Sequence, residues 1–211
     1  MVITSAIVSI GIIIASVAVG LISFNLLSDW PKAEKKKQIE ALTSQLINFV
    51  IFVWVGKILL NLSLFIQDPM AVLAYPGDSG AFYLATLFTA IIVVYKTIRH
   101  HLDIFAFAEV FAHVFLVASF FYEFMQMVLD NSYSLGYLVL LAILLIIYFS
   151  MREHITTLIT ILAGWTAGML VLTFIQPFVT VFGYMIDPWF IGLFFIGCLS
   201  IMFFSKRKWD A

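Results

Sequence analysis

The sequence predicts an all-α, polytopic membrane protein with seven transmembrane helices, the N-terminus outside and the C-terminus cytoplasmic. Three observations carry that expectation. Composition is the first: 64% of residues are apolar and only 11% charged, whereas a soluble domain carries about 25% charged residues to keep its surface wet. Length is the second, because seven apolar runs approach the roughly 20 residues needed to cross a hydrocarbon core of about 30 Å. The third is the placement of cations. Of the eleven Lys and Arg residues, all except Lys57 fall where the runs return to one side. An excess of Lys and Arg marks the cytoplasmic face, because short cationic loops resist translocation.

The first run, 3–27, has no basic residues before it and is longer than the 7–15-residue apolar region of a signal peptide. It therefore reads as a retained helix that enters from outside. Lys32, Lys35, Lys36 and Lys37 follow it, in a stretch from Ser28 to Glu40 that reads as a turn and the start of a short amphipathic helix. Lys35, Lys36 and Lys37 there are candidates to attract anionic lipid headgroups, at about 1 kcal/mol per cation near the surface. The second run, 42–66, contains Lys57. The third, 80–98, is entered through Ala74-Tyr75-Pro76-Gly77-Asp78-Ser79-Gly80 and is bounded inside by Lys96 and Arg99.

The fourth run, 104–129, carries Glu109, His113 and Glu123, more ionisable residues than any other run. The fifth, 134–150, is short and precedes Arg152. The sixth, 155–175, contains Gly164-Trp165-Thr166-Ala167-Gly168, a small-xxx-small pattern that lets helices approach closely. Pro177, Gly183 and Pro188 then predict a helix end and a partly buried outer connection. The seventh run, 187–204, leads to Lys206, Arg207 and Lys208. Segments 67–79, 130–133 and 176–186, with Asp187, lie on the opposite side; they carry acidic residues and no cation. One integral-membrane helical domain, 1–211, accounts for the whole length. Its expected location is the plasma (inner) membrane of a bacterial-type cell.

Ionisable groups are expensive inside a membrane and are functional candidates for that reason. Lys57 falls about nine residues from the outer end of the second run, hence roughly 14 Å deep at helical rise. Glu109, His113 and Glu123 lie on one stripe of the fourth helix, His113 and Glu123 each about 40° from Glu109 on opposite flanks. Such a stripe faces the protein interior or a hydrated cavity. Its functional reading is a ligand site or proton relay; its structural reading is a hydrogen-bond network that holds helices together. Their depths make a Lys57–Glu123 or Lys57–His113 contact geometrically accessible. In the outer turn, Tyr75, Asp78 and Ser79 form a second candidate site, where Asp78 or Ser79 caps the third helix or free N–H groups hold an anion.

Several chemistries find no support. The chain has no G-x-S-x-G, no H-E-x-x-H and no second cluster of ligands for a metal, so no catalytic residue, metal or cofactor is assigned. Whether the protein is an enzyme stays open. Cys198 is alone and reads as a small buried hydrophobe. Net charge is −1 and suggests no nucleic-acid partner; membrane lipids are the expected partners.

The order of features resembles prolipoprotein diacylglyceryl transferases, seven-helix enzymes that also run from outside to inside. Gly56-Lys57 stands where that family has Gly-Arg, Tyr75-Pro76-Gly77-Asp78-Ser79-Gly80 near its His-Gly-Gly turn, and Lys96 to Asp103 resemble its basic link. The likeness covers residues 3–130. The turn here lacks the histidine, and Phe120-Phe121-Tyr122-Glu123-Phe124 lacks the family's Gly-Arg-Ile-Gly-Asn. What the resemblance implies is therefore a phospholipid-accommodating cavity, without the transferase activity.

Together these readings predict a membrane protein that binds or handles a lipid or amphiphile in an intramembrane polar cavity. A proton-coupled secondary transporter of a small solute and a non-catalytic membrane subunit or assembly factor are the alternatives.

Overall fold

The computed structural model of the protein describes residues 2–74, 78–99, 102–129, 134–151 and 154–209. Among them the chain forms α1 (Val2–Leu27), α2 (Lys32–Leu60), α3 (Leu62–Gln67), α4 (Pro69–Ala74), α5 (Ser79–Arg99), α6 (Ile104–Val128), α7 (Leu135–Ser150), α8 (His154–Ile175), β1 (Thr180–Val181), β2 (Tyr184–Met185) and α9 (Pro188–Trp209). Among the described residues the fold is all-α apart from one two-stranded hairpin. Five helices, α1, α2, α5, α6 and α8, are long and apolar enough to cross a membrane. The helix α7 and the apolar part of α9 (Pro188–Phe203) are shorter. Large apolar side chains stand outward, among them Phe174 at 90% and Ile66 at 75% exposure. Soluble monomers rarely present continuous surface of this kind.

Most helix ends follow local chemistry written in the sequence. Asp103 caps α6 by accepting from the Phe105 and Ala106 N–H groups at 3.0 and 3.2 Å. Ser134 caps α7 through Tyr137 N–H at 3.1 Å, and Pro69 and Pro188 open α4 and α9, where a missing N–H costs nothing. The second apolar run behaves differently from the expectation of one helix over 42–66. Its helix begins ten residues earlier, at Lys32, and stops at Leu60, where Asn61 leaves helical geometry and its Nδ2 donates to the Lys57 carbonyl at 3.0 Å. The short helices α3 and α4 follow, α4 pinned through the buried Val72.

The helix α6 is the hub. It touches α1, α2, α7, α8 and α9 and buries residues on several faces, including Val110, Leu116 and Ala118. Two pairings wrap it at backbone range. A Cβ built on Gly20 of α1 would stand 2.8 Å from the Val114 carbonyl oxygen of α6, and one on Gly56 of α2 would stand 3.0 Å from the Ala81 carbonyl oxygen of α5. The Gly164 and Gly168 pair of α8 instead makes room for side chains of α7: a Cβ at Gly164 would meet the Leu144 side chain and one at Gly168 that of Leu140. Van der Waals contact drives such association, because lipid offers helices no hydrophobic reason to pair.

The connection after α8 folds inward. Thr180 pairs with Met185 and Val181 with Tyr184 around a two-residue turn, Phe182 and Gly183, both at positive φ (50° and 83°). Val179, Val181 and Ile186 are buried in the same core as Leu116, Tyr137 and Met169. Non-helical backbone at such a place is tolerable because it pairs with itself and is covered by protein.

Candidate functional site

The predicted stripe on α6 is divided among separate partners. Near the α6 N-terminus, Glu109 Oε1 accepts from Trp30 Nε1 at 3.3 Å, which ties the α1–α2 turn to α6. One turn on, His113 is 2% exposed. Its Nε2 lies 3.0 Å from Ser23 Oγ of α1, and Phe24, Tyr148 and Phe149 present their rings edge-on around it. Near the other end, Glu123 is equally buried and accepts from the Ser134 N–H at 3.1 Å. Ser134 Oγ in turn donates to Gln176 Oε1 at 2.9 Å. This chain of bonds joins α6, the start of α7 and the end of α8. Beside it Gln126 donates to the Tyr122 hydroxyl at 2.8 Å, and the Gly183 turn abuts that hydroxyl.

Lys57 stands elsewhere. It lies in the last turn of α2, rather than nine residues inside a longer helix, and the Asp78 carboxylate acts on it electrostatically. Glu123 accepts from Ser134 N–H, and His113 lies against Ser23 and a ring of aromatics. The break at Asn61 ends α2 one turn after Lys57, close to the start of α5.

Of the outer-turn candidates, Asp78 caps α5, its Oδ1 accepting from Ala81 N–H at 2.8 Å. Ser79 hydrogen-bonds the Tyr83 hydroxyl, which also accepts from Asp187 N–H at 2.8 Å. Tyr75 lies outside the described residues. Among those described, no three His, Cys, Asp or Glu side chains gather as a metal site.

An interior feature with room for a ligand is one that sequence reasoning missed. A cavity of about 350 Å³ runs between α2, α5, α6, α8, α9 and the hairpin, within the range of about 300–1,000 Å³ usual for ligand sites. From α6 it takes Ile104, Phe107, Ala108, Phe111, Ala112, Phe115 and Leu116. These recur at three- and four-residue intervals, so they form one continuous face, about a third of a turn away from the Glu109/His113/Glu123 stripe. Leu42, Ile104 and Met202 line one end; Phe82, Val181, Phe182 and Ile186 line the other. The space exists for two reasons. Ala90, Ala108 and Ala112 withhold volume, and α9 leans on α8 while touching α5 and α6 only lightly.

No residue lining the cavity carries a charge. Its polar features are Gln45, Thr86 and Thr89. The Thr86 hydroxyl donates back to the Phe82 carbonyl at 2.9 Å, as helix threonines in lipid commonly do. The Thr89 hydroxyl is buried without a hydrogen-bond partner among the described residues. The hairpin is the lid at one end: Phe182, held at positive φ, packs against Phe115 and Tyr122 with ring centroids 6.2 and 5.5 Å apart. A bulky residue in that backbone region is strained, and the aromatic contacts offset the strain. Such a chamber excludes ions and charged headgroups and admits a chain of methylene groups or a neutral ring. The sequence signal that would have found it is the alternation of Ala and Phe along one face of α6.

Comparisons with protein-family profiles, with curated proteins and with solved structures return no match to the chain.

Proposed function

We propose that the protein crosses its membrane seven times, N-terminus outside and C-terminus inside, and holds the apolar chain of a lipid or other amphiphile in the α2/α5/α6/α8/α9 cavity. One observation carries the binding reading: a cavity of about 350 Å³ whose lining is uncharged throughout. The seven-crossing reading is supported by the seven principal helices α1, α2 and α5–α9 and by the one-sided distribution of cations. The resemblance to prolipoprotein diacylglyceryl transferases over residues 3–130 supports a lipid-accommodating reading of the same kind.

The polar stripe serves the scaffold in this account. Trp30, Ser23 and Ser134 each engage one of its three ionisable groups, which favours helix association over a proton path along α6. Ligand chemistry moves to the neighbouring, uncharged face.

A lipid carrying a photoactivatable diazirine along its acyl chain tests the reading. Irradiation of the protein in bilayers, followed by peptide mapping, should place adducts on the cavity-facing peptides of α5, α6 and α8. Excess unlabelled lipid should compete for them. Adducts confined to outward residues such as Phe174, with none at Ala90, Ala112 or Trp165, would remove the proposal.

A further inference from the structure

A second lipid contact is built at the junction of α1 and α2, N-terminal on α2 to the residues that line the uncharged cavity. A surface groove there is lined by Leu21, Ile22 and Asn25 of α1 and by Lys32, Lys35, Lys36, Ile39 and Glu40 of α2. Lys32, Lys35, Lys36 and Ile39 sit at three- and four-residue spacing, so the three ammonium groups and the isoleucine share one helix face. The Lys35 Nζ is fixed, donating to the Asn25 carbonyl at 2.9 Å in the last turn of α1. Glu40 supplies the groove's single carboxylate and lies 3.9 Å from Lys36, in a pair exposed at 79% and 67%. Three positive charges against one leave the groove cationic.

Apolar surface continues directly from it. Ile22 is 57% exposed, and Leu26 beside it 72%. The lysines gain nothing from α2 itself, because they occupy its N-terminal end, where the helix dipole is already positive. A cationic notch with an apolar wall below it matches an amphiphile with a negative head. We infer that this groove binds the phosphate of an anionic phospholipid, with Lys32 and Lys36 on the phosphate and the acyl chains against Leu21 and Ile22. The site is independent of the uncharged cavity and of what that cavity holds. Lys37, one of the cations singled out in the sequence, lies outside the groove.

Titration of the detergent-purified protein with phosphatidylglycerol, phosphatidylcholine or glycerol 3-phosphate, read by native mass spectrometry, tests the inference. Phosphatidylglycerol should bind in clear preference to phosphatidylcholine, and glycerol 3-phosphate should bind far more weakly than either chain-bearing lipid. At about fivefold per lysine, Lys32→Gln with Lys36→Gln should weaken phosphatidylglycerol by roughly twentyfold or more. Lys37→Gln, outside the groove, should cost clearly less than Lys32→Gln or Lys36→Gln alone. Equal loss in Lys37→Gln would reduce the effect to general surface charge and overturn the groove. Glycerol 3-phosphate binding as tightly as the lipid would overturn the lipid assignment in favour of a soluble phosphate. An unchanged preference in the doubly substituted protein would overturn the site itself. Circular dichroism of each variant confirms that the helices persist.

Discussion

Glu123 shows how a single buried carboxylate is tolerated in this protein. It is 2% exposed and bonded to the Ser134 N–H, at the point where α7 starts and Gln176 closes in from α8. A buried donor left without a partner costs about 1–3 kcal/mol. Glu123→Leu should therefore lower stability by about that amount and loosen the α6–α7 connection, while Glu123→Gln, which keeps an acceptor, should change it by about 0.5 kcal/mol or less. Unfolding of the purified variants in mixed micelles measures both. The sequence made Glu109, His113 and Glu123 visible as one stripe, since helical spacing alone sets that. Their partners were not legible. Trp30, Ser23 and Ser134 come from other parts of the chain, and periodicity within α6 carries no information about which neighbour lies against it.

Among the elements, boundaries were the readable part. The runs 80–98, 104–129, 134–150 and 155–175 lie within a residue of α5, α6, α7 and α8, because caps and prolines mark their ends. The run 42–66 misled because apolar residues resume at once after Asn61, with Leu62, Leu64, Phe65 and Ile66; hydropathy does not register a change of backbone direction. The inward hairpin was likewise hidden, although Pro177 and Gly183 announced a connection. Helix pairing rests on close approach, and Gly20 is the sharpest case, with the Val114 backbone 2.8 Å from the place of a Cβ. Gly20→Leu should lower stability by about 1–3 kcal/mol through overpacking of the α1–α6 contact. Gly11, on the same helix, would place a Cβ in open space, so Gly11→Leu should leave the melting temperature unchanged or raise it slightly.

For the whole molecule, orientation and content are the two claims to test. The proposed orientation rests on the cations, and single cysteines in a Cys198→Ala background report it. A cysteine at position 37 should react with a membrane-impermeant maleimide only from inside, and one at position 68 only from outside; the reverse pattern would invert the fold in its membrane. The proposed content rests on the cavity, which composition alone concealed. Phenylalanines facing lipid and phenylalanines facing an internal chamber are alike in sequence, and only the packing of α9 away from α5 and α6 separates them.

The most direct measurement is the lipid retained by the protein through purification, quantified by native mass spectrometry for the wild type and for Ala112→Trp. Ala112 lines the chamber, so an indole there occupies the space a chain would take. The account predicts a stoichiometric amphiphile on the wild type, largely lost in Ala112→Trp with the melting temperature kept. A wild type that carries none, or an Ala112→Trp protein that retains it in full, would contradict it.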